Sequence, residues 1–146
     1  MDSSQLAKLS YEFVHSDFEH IETEWKVHLS KFAVSPVLVP EARTYHAATL
    51  LQNFMIIVGG ESISSGDLND FWLLDLETSS WIKPDISGLE SFSHKRFHSA
   101  SAIGTKVITF GGCHGEYVHL NDLNIFELSG WLSDRSPVIC TKVAVS

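Results

Sequence analysis

The residues best suited to chemistry are the histidines, eight in 146 residues, together with two cysteines and 18 carboxylates. His94 and His98 stand four apart, and Cys113, His114 and His119 cluster, so a metal site is the first chemistry to consider. The spacing argues against it. Residues four apart aim at one ion when they share a helix face, and here a loop runs into a strand. Cys113 and His114 are adjacent, and strand neighbours point to opposite faces. His46 and His98 occupy one position of a repeated phrase, which favours a structural role. A nucleophile is equally unsupported, because Ser99 and Ser101 sit on a repeat strand with no oxyanion motif around them. No metal, no cofactor and no enzymatic activity are expected.

Composition narrows the classes further. Hydrophobic residues make up 44% and charged residues 19%, so a folded domain is expected rather than a disordered chain. The net charge is −8 with only 10 Lys and Arg, which argues against a phosphate-backbone binder and hence against nucleic acid. Uninterrupted apolar runs reach four or five residues, far short of the ~20 that span a bilayer. The opening MDSSQLAKLS has no apolar core of a signal peptide. Two cysteines, Cys113 and Cys140, make no disulfide framework, so a reducing compartment, cytoplasmic or nuclear, is expected.

The elements that would position any site come from an internal repeat. The stretch RTYHAATLLQNFMIIVGGE begins at Arg43, and RFHSASAIGTKVITFGGCH begins at Arg96. Arg43 and Arg96 are 53 residues apart, His46 and His98 52 apart, and the pairs Gly59-Gly60 and Gly111-Gly112 again 52. Downstream, LNDFWLLDL from Leu68 matches LNDLNIFEL from Leu120, and Trp81 answers Trp131. Each repeat carries four short strand signals rich in β-branched and aromatic residues and punctuated by Gly, Asn, Asp and Ser. In the first they are Thr44–Leu51, Met55–Val58, Phe71–Leu76 and a run around Trp81. In the second, Val107–Phe110 and Asn124–Leu128 are the middle pair. Four antiparallel strands in about 50 residues are one propeller blade.

The double glycine after an apolar strand, the Arg-x-x-His opening and the closing Trp resemble kelch repeats. That resemblance covers about 60% of the chain, from Arg43 to Trp131. It implies an all-β fold, an incomplete kelch β-propeller of about two and a half four-stranded antiparallel blades. The Tyr that the family usually carries six or seven residues before the Trp is replaced by Leu74 in the first repeat. In the second, Phe126 stands five before Trp131. Gly59, Gly60, Gly111 and Gly112 suit positions of positive φ or crowded backbone. Arg43, His46, Arg96 and His98 would tie neighbouring blades, and Trp81 and Trp131 would fill space between outer strands. Residues 1–42 form an N-terminal segment, 43–95 the first repeat, 96–131 the second, and 132–146 a non-repeat tail. Within the first, Trp25–Leu29 reads as a strand of a partial blade. Val14, Phe18, Ile21, Trp25 and Leu29 also follow a helical spacing, and residues 5–22 are open between helix and strand.

Two full units do not close a ring, and open blade faces invite self-association to complete the propeller. Function then rests on loops. Strand alternation puts Glu61–Asp67, Ile82–Lys95 and Cys113–His119 on one face, and the tight connections at Gln52-Asn53, Gly104-Thr105 and Ser129-Gly130 on the other. The long-loop face offers Glu61, Ser64, Ser65, Asp67, Glu90, His114, Glu116, Tyr117 and His119, a polar mixture that suits a protein or peptide partner. Kelch proteins often act as adaptors or as substrate receptors for ubiquitin ligases, so the resemblance implies a protein–protein interaction module. The alternative is a truncated isoform, non-binding or regulatory, of a full-length propeller. Some kelch-like propellers are copper oxidases or iron-dependent specifier proteins, but the spaced Glu, Asp and His of the latter are not found.

Overall fold

The computed structural model describes residues 38–116 and 118–144. The readings for residues 5–22 and Trp25–Leu29, and the side chain of Tyr117, lie outside the described residues. The first sheet is an antiparallel meander of β1 (Ala47–Leu51), β2 (Phe54–Ser62), β3 (Gly66–Asp75) and β4 (Ser80–Ile82), in that order. The apolar run FMIIV makes β2 a strand buried on both faces.

The second sheet has five strands. From the inside, β6 (Ser99–Ile103), β7 (Lys106–Phe110), β10 (Leu123–Glu127) and β11 (Val138–Val143) form an antiparallel meander. Beyond them β5 (Ile86–Ser87) pairs with β11 in parallel. A small hairpin of β8 (Cys113–His114) and β9 (Val118–His119) sits between β7 and β10 in the chain. The all-β reading as a partial propeller holds, with two sheets as two blades.

One core joins the blades. Ile56, Val58, Phe71 and Leu73 of the first sheet cluster with Val107, Phe126, Val138 and Cys140 of the second. Phe71 and Phe126 lie 4.8 Å apart between ring centroids, and Phe92 meets Phe126 edge-on at 5.2 Å. Full burial of each such ring contributes roughly 1.5–3 kcal/mol.

Three expectations need correction. The sequence pattern places the tail from residue 132 outside the repeat, yet Val138–Val143 is the fourth strand of the second blade, carried by a β-branched run whose Val138 and Cys140 face the core. Trp131 is not on a strand, and Ser129-Gly130 is not a tight hairpin. Ser129–Asp134 forms a one-and-a-half-turn helix, α1, which ends where Arg135 turns left-handed at φ 65°. From that helix Trp131 packs edge-on against Phe54 of the first blade, 5.2 Å away. Finally, Ile82–Lys95 is no open loop on one face. It runs down the outer edge of the second sheet as β5, turns through a 3-10 segment at Leu89–Ser91, and drives Phe92 into the core.

Candidate functional site

β1 starts, and the β2–β3 hairpin turns, at the same end of the first blade, because Thr44 bridges Glu61. The second blade repeats the bridge as Arg96 with Cys113. Both members are 52 residues on, so Arg96 is the counterpart of Thr44, and the counterpart of Arg43 is Lys95. The 53-residue spacing between the arginines therefore joins unlike positions. The side chains agree. The Arg43 guanidinium forks onto the Asp70 carboxylate, with Nη2 to Oδ2 at 2.9 Å, and also donates to the Gly59 carbonyl at 3.1 Å. Lys95, fully buried, reaches the matching aspartate, with Nζ 3.8 Å from Asp122 and 3.3 Å from the Asn124 amide oxygen. Burial pulls the Lys95 pKa down, and Asp122 opposes that pull. Burial alone would raise the Asp122 carboxyl, but hydrogen bonds from Lys142 and Ser93 and the Lys95 charge hold it below the usual range.

Arg96, freed from the aspartate of its own blade, crosses the seam between blades. It donates to Asp67 at 2.6 Å and Glu61 at 3.1 Å on the first blade, and to the Gly115 carbonyl at 2.7 Å on its own. Asp67 completes the ring by accepting from the Gly115 amide at 2.6 Å, with the His114 ring nitrogen at 3.4 Å. Its hydrogen bond to Asp67 raises the Arg96 pKa. Backbone bonds run alongside: Gly60 N to Lys95 O, Lys95 N to Leu68 O, and Phe97 N to Tyr45 O, at 2.9–3.0 Å.

This geometry sorts the residues expected to recognise a partner. Glu61 and Asp67 are engaged by Arg96, and Glu61–Asp67 is a hairpin whose turn is confined to Ile63–Ser65. Ser64 and Ser65, with Ser62, donate to one oxygen of Glu41 at 2.7–3.1 Å, and the Ser62 bond leads in lowering that carboxyl. Glu90 is exposed but sits in the 3-10 turn on the outer edge. His114, Glu116 and His119 are exposed at the β8–β9 hairpin. A cleft of about 500 Å³ lies between the Ala42–Thr44 segment and the Glu61–Gly66 hairpin.

The same end carries a feature that the residue types alone did not single out. Tyr45 and Phe97, equivalent positions of the two repeats, pack with ring centroids 4.2 Å apart and ring planes inclined by 35° while 51% and 59% exposed. Both adopt left-handed backbone, φ 56° and 58°, which costs a bulky residue of order 1 kcal/mol or more. The Arg96 guanidinium lies 5.9 Å from the Phe97 ring. The signal available in sequence was an aromatic directly before each repeat histidine.

Of the repeated glycines and histidines, Gly59 and His98 meet across the seam, whereas Gly60 and Gly112 are pressed against their own blades. A Cβ on Gly60 would come within 2.7 Å of the Thr44 carbonyl, and one on Gly112 within 2.6 Å of the Arg96 carbonyl. A Cβ on Gly59 would meet Lys95 O at 2.8 Å and the His98 ring at 3.0 Å. His98 is buried with neither ring nitrogen hydrogen-bonded. Burial first, then the Lys95 charge, lowers its pKa from 6.5 to about 4, with the Val58 backbone acting the other way. His46, its counterpart, is exposed, as is His94. Trp81 is half-buried on β4. Both cysteines are free thiols, and burial pushes Cys140 up. Among the described residues no group of three or more His, Cys, Asp or Glu is placed to hold a metal ion, and no helix is long and apolar enough to cross a membrane.

Residues 14–143 match the family model described as the KLHDC2/KLHL20/DRC7 Kelch-repeats domain. Among curated proteins, the chain is 37% identical over 79 residues to the tRNA wybutosine-synthesizing protein 2/3/4 of Arabidopsis thaliana, covering 54% of this chain and 8% of that protein. It is 35% identical over 81 residues to Host cell factor 1 of Homo sapiens, covering 51% and 4%. It is 33% identical over 91 residues to the tRNA wybutosine-synthesizing protein 4 of Saccharomyces cerevisiae, covering 60% and 12%. The match thus spans about a tenth or less of each relative's length. With the family model covering most of the sequence and both blades in place, the chain belongs to the kelch-repeat family.

Proposed function

We propose that this chain is a protein-interaction module that engages a protein or peptide segment at the hairpin end of its blades, centred on the Tyr45–Phe97 step. The carrying observation is that pair: two aromatic rings in contact, half exposed, each held in costly left-handed backbone at the same point of successive repeats. Aromatic rings give large contact area at low entropic cost and are enriched where proteins meet. The exposed His114, Glu116 and His119, with Ser64 and Ser65 at the neighbouring tip, supply a polar rim. Glu61, Asp67 and Arg96 position that surface rather than contact the partner. The occupant that fits is an extended segment presenting an apolar or arginine side chain to the rings.

We read the module as non-catalytic, which the use of its charged groups in structural pairs supports. The relatives named for tRNA wybutosine synthesis match over only 8% and 12% of their length, so their activity is not carried to this chain. The test is selection of binders from a displayed peptide library, followed by affinity measurement on two double variants. Tyr45→Ala with Phe97→Ala should weaken binding at least tenfold with unchanged circular dichroism. Gln52→Ala with Thr105→Ala, at the opposite end, should leave it intact. The reverse pattern would move the site to the other end.

A further inference from the structure

The second sheet has a face that the core does not use. Strand pairing places Ile103, Ile108, Phe110, Leu123, Ile125 and Ile139 on it in adjacent rows, opposite the core-facing Val107, Phe126 and Val138. Phe110, Ile103 and Ile139 are 51–64% exposed, and the other three are half-buried. Among the described residues nothing covers these rows. Ser99, Ser101 and Thr141 share these rows, so the apolar surface is continuous over Phe110, Leu123, Ile108 and Ile125, with Ile103 and Ile139 at two of its corners. An exposed apolar surface of this kind marks an interaction site.

The position of the face in the repeat says what it matches. Ile108, Phe110, Leu123 and Ile125 are 52 residues after Ile56, Val58, Phe71 and Leu73, which the second blade buries completely or nearly so. The polar code beside the rows has changed, however. Glu61 and Asp67, which demand an arginine from whatever covers the first blade, become Cys113 and His119 in the second. The edge has lost both carboxylates, so a partner need bring no cation. The charges on the face itself are Lys106 and Glu127, one of each sign, paired with each other at 3.7 Å at one end in the row of Ile103 and Ile139, so a second copy would exchange this pair rather than supply a missing one. A face whose charged groups are one cation and one anion is complementary to itself under a two-fold rotation, which exchanges Lys106 and Glu127 between copies.

We infer that this outward face docks a second copy of the chain, the two second sheets packing face to face as an isologous dimer with Lys106 of each copy meeting Glu127 of the other. Apolar rows from the two copies interdigitate as in a β-sandwich. The assembly stops at two, because the face is consumed by its own image, and the hairpin end with Tyr45 and Phe97 stays open. The inference does not rest on the recognition reading above.

The test is sedimentation equilibrium of the full chain over a wide concentration range, with variants. The wild type should be a dimer at micromolar concentration, with no larger species growing in. Ile108→Glu with Ile125→Lys should give a monomer whose melting transition and circular dichroism match those of dilute wild type. Lys106→Glu alone should weaken the dimer about tenfold or more by placing like charges together, and adding Glu127→Lys should restore it. A wild-type monomer at all concentrations, a dimer indifferent to Ile108→Glu with Ile125→Lys, or a species that keeps growing would each overturn the inference.

Discussion

The inner seam and the outward face of the second sheet are built from the same phrase, 52 residues apart, and they have opposite fates. Ile56, Val58, Phe71 and Leu73 are at most 1% exposed, whereas Phe110 is 51% exposed and Ile108, Leu123 and Ile125 are half-buried. Gly59 is pressed against Lys95 O, whereas a Cβ on Gly111 would meet only Leu120 O, at an ordinary 3.5 Å. His98 is buried under the first blade, while His46 is exposed at the leading edge. A repeat sequence thus encodes a surface able to be buried, and the neighbouring blade determines the energy that burial contributes.

The largest separation should come from the core rows. Phe71→Ala opens a cavity between blades and is expected to cost about 3–5 kcal/mol, whereas Leu123→Ala, its counterpart, should cost less than about 1 kcal/mol in dilute protein. Urea unfolding of both variants checks this, and equal losses would erase the distinction between seam and face.

Next comes pH. The folded state holds His98 with a pKa of about 4 against 6.5 for an ordinary histidine, so the unfolded chain takes up the proton first as pH falls. Stability from this residue is complete above about 6.5, drains away down to about 4, and changes no further below. The loss is on the order of 3 kcal/mol. His98→Phe should flatten that slope in denaturation series between pH 7 and 4, and an unchanged slope would remove His98 as its source.

Glycine substitutions should separate the two sides by less. Gly111→Ala carries only the strain of φ 69°, about 1 kcal/mol, whereas Gly59→Ala at φ 55° adds a collision with Lys95 O and should cost about 2 kcal/mol. Thermal melts would show the order, and the opposite order would mean that the seam is looser than its hydrogen bonds indicate. Arg96→Gln removes the cation of the seam. Its Asp67 arm is largely buried, but its Glu61 arm ends on a carboxylate 37% exposed and is screened by salt, so the variant should melt lower and with less sensitivity to salt. Unchanged salt sensitivity would show that the Arg96 bonds act only by geometry.

Much of the fold was legible because repeats betray themselves in one sequence. The glycine pairs, the apolar run before each and the two LND motifs fixed the middle strands and the period of 52. The second blade's last strand, Val138–Val143, is a β-branched run, but it lies beyond Trp131, the residue that marks the close of the repeat in sequence. Trp131 instead reaches the first blade from a helix, which fills the same space by another route. Lys95 is masked in a similar way, because the arginine spacing of 53 pairs Arg43 with Arg96, whereas the histidine spacing of 52 places Lys95 opposite Arg43. The candidate site is the least legible part, because no local pattern shows that Arg96 engages Glu61 and Asp67.

The sequence by itself determined the class of fold, the number of described blades and the end at which their hairpins turn, because strand periodicity and turn residues act over a few positions. Tertiary structure alone decided which charges are engaged and which are exposed. Arg96 finds Asp67 across 29 residues, and Gly115 finds the same carboxylate across 48. Likewise Phe92 leaves a connecting segment for the core, and Tyr45 and Phe97 meet only because adjacent blades bring equivalent positions together. Such pairings depend on the packing of one blade on the next, a distance in space that no local pattern of residues records.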